Sequence, residues 1–191
     1  MTDLISMFRD AQDEFTKRVT QVSPEQWAAP TPDDEWTVTD LVSHLVDEHL
    51  WMPPLIEGHG LGEAEKIVES VRRSSSDQPA EAWEAAALGS RGAVMEPGAL
   101  DRQVQLSRGP TPVADYVSEM IFDLTVHSWD LGVAIGVRDP LSDRLVQHSL
   151  KVLESFGDTS AIGGFKPPVS VPDDAPAENR LVALTGRDPR G

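Results

Sequence analysis

Three polar, titratable residues interrupt the apolar side of one helical stretch, FDLTVHSWDLGVAIG, residues 122–136. Val113, Val117, Met120, Leu124, His127, Leu131 and Ala134 follow steps of four and three, the seam of a packed helix. His127 therefore stands where a buried apolar side chain is expected. At about 100° per residue, Asp123 lies roughly 40° to one side of it and Asp130 roughly 60° to the other. All three project from one side of the helix, where an unpaired carboxylate is costly to desolvate. Three chemistries fit: a hydrogen-bonded core histidine, an acid–base pair working without a metal, or a metal site in which an Asp-x-x-x-His pair supplies two ligands from adjoining turns.

Two ligands hold a metal poorly, so a third must come from another element. The stretch LVSHLVDEHLW, residues 41–51, offers it. His44 stands at the edge of that helix's apolar stripe, with Glu48 and Trp51 one and two turns later on the same side. His49 falls nearer the middle of the stripe and is a rival by periodicity alone. His59 sits in a glycine-rich loop, and His148 on a later helix at a surface or boundary position. The chain has no cysteine, which excludes disulfides, cysteine-ligated zinc and a cysteine nucleophile.

The elements that must position these residues are helical. Apolar periodicity predicts helices over about 2–22, 37–52, 79–95 and 112–135, with a further amphipathic helix over 141–156. A weaker helix is expected over 63–73. Thr37 to Asp40 reads as a capping box, and Pro53-Pro54 should end or kink the helix it opens. Thr111 reads as an N-cap with Pro112 at the first helical position, and Gly136 as a C-terminal stop. One extended segment is expected at RQVQLS, residues 102–107. Residues 157–176 are rich in glycine and proline and read as a loop. AENRLVALTG, residues 177–186, reads as a short last helix before a polar tail. The reading is one all-α helical bundle over residues 1–191.

The 191 residues carry 32 acids against 16 bases, a net charge of −16. That balance opposes binding to the nucleic-acid backbone and to anionic lipid. No apolar run approaches the roughly 18–20 residues of a membrane span, and the N-terminus lacks a signal-peptide pattern, so a cytoplasmic location is expected. Trp27, Trp36 and Trp51 bracket the second helix as packing residues, with Trp51 placed to wall a site beside His44. Trp129, roughly 200° from His127, should pack against a different helix. Arg72-Arg73 reads as a solvated pair, and Asp33-Asp34 and Asp173-Asp174 as caps and turns.

EWTVTDLVSHL, followed far downstream by DLTVHSWDL, resembles the DinB-like metal-binding superfamily. The closer similarity is to its actinobacterial branch, related to the N-terminal domain of mycothiol-dependent maleylpyruvate isomerase. The resemblance runs from the WxxPTPxxEW loop (residues 27–36) to RLVALTGRDP (residues 180–189). It implies a four-helix bundle with an up-down-down-up path, here with extra C-terminal helices and the Gly/Pro-rich loop. It also implies a divalent metal, zinc or nickel, held by His44, Asp123 and His127. Aspartate at 123 stands where the superfamily usually has His or Glu, and its reach is one methylene shorter than that of Glu. Asp130 matches a recurrent acid whose implied role is to orient His127 or a bound water, and Glu48 stands beside His44 as a second supporting acid. An open coordination position could activate water or a thiol, and the implied co-substrate is mycothiol. The two-domain isomerase has a further C-terminal domain for which this length leaves no room, so only the metal–thiol chemistry is carried over. The expected function is a mycothiol-dependent transferase or isomerase-like enzyme. Alternatives are a non-catalytic metal- or ligand-binding protein and a metal-dependent hydrolase. A homodimer is compatible with a small bundle, though no residue pattern specifies it.

Overall fold

The computed structural model describes residues 2–33, 36–156 and 166–190. Among them run α1 (Thr2–Val19), α2 (Val38–Glu57), α3 (Leu61–Ser74), α4 (Pro79–Met95), β1 (Gln103–Leu106), β2 (Gly109–Pro112), α5 (Val113–Ile135), α6 (Asp143–Phe156) and α7 (Ala177–Leu184). The first part of the predicted Gly/Pro-rich loop, residues 157–165, lies outside the described residues, as do Asp34 and Glu35.

Side-chain contacts fix the directions of the four long helices. Trp83 Nε1 donates to Thr16 Oγ1, and Gln12 Nε2 donates to the Ala87 carbonyl and Ser90 Oγ, so α1 and α4 are antiparallel. His49 meets Trp83 while Pro53 lies against Gly89, so α2 and α4 are parallel. Arg18 lies over Gly132 at the C-terminal ends of α1 and α5, and Gln26, just past α1, donates to the Ile135 carbonyl; these two helices are parallel. The path is up-down-down-up, the DinB-like helical fold.

The main core gathers Phe8, Phe15, Leu41, Leu45, Met52, Trp83, Met120 and Leu124 from all four helices. A second apolar cluster lies on the opposite side of α5, where Phe122, Val126 and Trp129 meet Leu141, Val146 and Leu153, with Leu181 and Val182 of α7. Trp129 thus packs away from His127, as its helical angle predicts. The seam legible in the sequence is one side of a helix that is covered on both, because α6 and α7 fold back over its outer face.

Three local expectations are corrected. The capping box forms, with Asp40 N donating to Thr37 Oγ1 and Thr37 N to Asp40 Oδ2, but α2 does not stop at Pro53-Pro54. It continues to Glu57 and ends at Gly58, whose φ of 98° is left-handed. The fixed φ of proline is itself helical, and the Pro53 ring packs beside Gly89 of α4. Thr111 and Pro112 are strand residues, and it is Pro112, not Thr111, that holds the N-cap position of α5, with no side-chain cap bond. The extended segment pairs with them as an antiparallel hairpin, Val104 opposite Thr111, and α5 begins only at Val113. Finally, the first helix stops at Val19, short of the expected residue 22.

Candidate metal centre

α2 and α5 run antiparallel, bringing the second turn of α2 against the middle of α5. His44 Nε2 lies 3.5 Å from Asp123 Oδ2, and His127 Nε2 lies 3.4 Å from Asp123 Oδ1. One nitrogen from each imidazole and one oxygen of the carboxylate lie within 4.8 Å of one another. The two histidine–carboxylate contacts are longer than good hydrogen bonds, and Asp123 Oδ2 is buried without a hydrogen-bond partner. Burial pushes the Asp123 carboxyl up, but His127 and His44 outweigh it and hold the group well below the usual carboxylate range. Burial likewise opposes the His127 imidazolium, yet the nearby Asp123 carboxylate and the hydrogen bond to Asp130 push it up to about 10.

Behind His127 the structure builds a chain of polar contacts. His127 Nδ1–H donates to Asp130 Oδ2 at 3.0 Å, and Asp130 is completely buried. Arg187 closes on that carboxylate with a two-pronged contact, Nη2 to Oδ2 at 2.9 Å and Nε to Oδ1 at 3.2 Å. Burial raises the Asp130 carboxyl, while His127 and Arg187 together bring it below its ordinary range. Nδ1 is thereby committed to Asp130, leaving Nε2 to face Asp123 and His44.

Sequence reasoning misses three contributors here. Arg187 belongs by its sequence to the polar tail, yet it is only 5% exposed. The one signal for it is the glycine that precedes it. Asp33, expected as a cap or turn residue, receives a hydrogen bond from Arg187 Nη2 at 3.0 Å. Trp36, expected as a helix-end packing residue, lies 4.9 Å from the His44 ring and 5.8 Å from the His127 ring, between centroids. Trp51 lines a groove beside His44 and Asp123.

That groove, of about 800 Å³, runs from His44 and Asp123 past Glu48, Trp51, Tyr116 and Met120 toward Arg108 on the hairpin turn. Glu48 faces it, and burial first, then the charge of Asp123, raises its carboxyl above the ordinary value. Arg108 is paired with Glu119 at the far end.

The remaining histidines lie elsewhere. His49 is fully buried in the main core, stacked on Phe8 and edge-on to Trp83, with Nδ1–H donating to the Leu45 carbonyl at 2.8 Å. Burial draws it down to about 4. His59 pairs with Glu57 and Glu63 at the surface, and half-buried His148 sits on α6. Arg72 and Arg73 pair with Asp47 and Glu69 in solvent, and Asp173-Asp174 form an exposed turn.

The donor set at the α2–α5 crossing suits a divalent transition metal. It offers two imidazole nitrogens and a carboxylate with an unpartnered buried oxygen, and the second imidazole is oriented through its other nitrogen. Asp33, His127 and Asp130 also lie close together, but the Arg187 guanidinium already bridges the two carboxylates.

The sequence model of the family described as the mycothiol maleylpyruvate isomerase N-terminal domain matches residues 8–132. Two uncharacterized proteins of Mycobacterium tuberculosis, MT0763 of strain CDC 1551 and Rv0738 of strain H37Rv, are each 27% identical over 98% of this chain and 100% of their own length. The crystal structure of mycothiol-dependent maleylpyruvate isomerase superposes with a TM-score of 0.59 at 14% identity. That of its histidine-to-alanine mutant gives 0.61 at 13%. Both cover 80% of this chain and 67% of theirs, and at such identities the likeness is one of fold.

Proposed function

The chain belongs to the family of the mycothiol maleylpyruvate isomerase N-terminal domain, and from that premise we propose that it binds a divalent metal, zinc first and nickel second, through His44, Asp123 and His127, and acts on a small thiol, mycothiol, as a transferase or isomerase-like enzyme. The observation that carries the reading is the buried, unpartnered Asp123 oxygen between two imidazoles. A cation there satisfies a group whose isolation is otherwise costly. When bound, the metal supplies Lewis acidity that favours a thiol's deprotonated form at an open coordination position.

The chain's own residues do the rest. Asp130 holds the His127 ring so that Nε2 points at the crossing. Trp36 lies against the two imidazoles and shields them from water on one side. Glu48, made more basic by burial and by Asp123, is placed in the groove to take the proton that a thiol gives up. The groove then has room for a thiol's body and a second reactant beside His44 and Asp123.

The test is metal analysis of protein purified without an affinity tag, followed by cobalt substitution and titration with mycothiol and simple thiols. Close to one divalent ion per chain is expected, lost in His44→Ala, with the cobalt spectrum perturbed by mycothiol. Near-zero metal in the absence of chelator would sink the metal assignment. Metal without any response to thiols would leave a metal-binding protein and remove the thiol chemistry.

A further inference from the structure

The polar chain behind His127 ends on a residue outside the segment that the family model matches. Arg187 follows α7, and its placement is dictated locally. Gly186 N–H donates to the Ala183 carbonyl and Arg187 N–H to the Val182 carbonyl, with Gly186 at φ +84°, the bonding pattern of a Schellman helix end. A Cβ at Gly186 would lie 2.8 Å from the Lys166 carbonyl oxygen, so the close approach also requires glycine. Turned back by this cap, the Arg187 side chain enters the bundle and donates to the Thr185 carbonyl, both oxygens of Asp130, and Asp33. The planar fork of a guanidinium matches a carboxylate in a way an ammonium does not.

We propose that Arg187 is a positioning residue for this site: by gripping Asp130 it fixes the His127 ring with Nδ1–H turned away and Nε2 presented to the α2–α5 crossing, and through Asp33 it anchors the loop that carries Trp36 over both imidazoles. The inference rests on the proposed metal site, but its core concerns His127 itself and is measurable without metal. Without the fork, Asp130 can rotate, and the imidazole loses the acceptor that sets its orientation.

The experiment uses the full chain with Arg187→Ala and Arg187→Lys. Folding is checked by circular dichroism. Zn²⁺ affinity is measured by competition with a chromophoric chelator, and the His127 ring by ¹⁵N-edited NMR of the metal-free protein. Arg187→Ala should weaken Zn²⁺ binding measurably, by up to about 100-fold, the ceiling set by loss of the Asp130 contact to His127 itself, and abolish the slowly exchanging Nδ1–H signal. Arg187→Lys should restore part of both. A folded Arg187→Ala protein with wild-type affinity and an unchanged Nδ1–H signal overturns the proposal. If Arg187→Ala does not fold, Arg187→Lys decides: wild-type values for both readouts overturn it equally. If the wild type itself takes no Zn²⁺, the metal reading falls, and the Nδ1–H signal alone decides the role of Arg187.

Discussion

Some of the buried titratable groups face the α2–α5 crossing, and others, His49 among them, do not. Asp123 is central to the first set, since both imidazoles meet its carboxylate. Asp123→Asn keeps its shape and removes its charge, so Zn²⁺ affinity should fall by more than the roughly 100-fold upper bound for an outer partner. Isothermal titration at neutral pH checks this, and an unchanged affinity would move the site elsewhere. His49 answers to a different variable. Its folded-state value is drawn down to about 4 from an ordinary 6.5 by burial in the core. Between those values the unfolded chain binds a proton that the native state does not, so stability rises with pH across the window and is lost as pH falls from 6.5 toward 4. At about 1.4 kcal/mol for each pH unit between the two values, the full effect is on the order of 3 kcal/mol. Urea denaturation of wild type and His49→Leu at pH 4.5 and 7 should show a smaller pH dependence in the variant. Equal dependence would mean that other groups carry it.

At the scale of elements, the site depends on how closely α1 and α5 approach and on where α2 starts. Gly132 lies under Arg18, and an added Cβ would stand 2.8 Å from the Val137 carbonyl oxygen and 3.1 Å from Arg18 Nε. Gly132→Ala should therefore destabilise the fold by about 1–3 kcal/mol, the usual range for overpacking, which thermal unfolding can measure. Thr37 opens α2 two turns before His44. Thr37→Ala removes the acceptor for Asp40 N and should cost about 0.5–2 kcal/mol. The capping box was legible in the sequence because it lies within four residues. The passage of α2 through Pro53-Pro54 was not, because a local rule for proline does not register the packing of α2 along α4.

For the molecule as a whole, α5 is covered on one side by the main core and on the other by α6 and α7. A chain ending at Phe156 loses α7 and Arg187 together. It should expose the outer cluster around Phe122, Val126 and Trp129 and leave the buried Asp130 without its guanidinium. Such a chain is expected to bind a hydrophobic dye and to melt at a lower temperature than the full chain. Dye binding equal to that of the full chain would mean that the outer cluster closes without α7. Among the described residues no helix is long and apolar enough to cross a membrane.

The sequence by itself determined the long helices, their caps at Thr37 and Gly136, the apolar seam of α5 and the grouping of Asp123, His127 and Asp130 on one side. Each of these follows from the 3.6-residue period and from hydrogen bonds reaching no more than one turn. Periodicity did not separate His44 from His49, since both lie beside the same apolar stripe; the resemblance pointed to His44, and the tertiary structure sets it at the crossing and His49 in the core. Only the tertiary structure brought Trp36 onto the imidazoles and joined Arg187 to Asp130 across 57 residues. No local rule carries such a pairing. Apolar burial sets how the helices pack, and the positions that packing leaves facing one another decide which polar groups can meet.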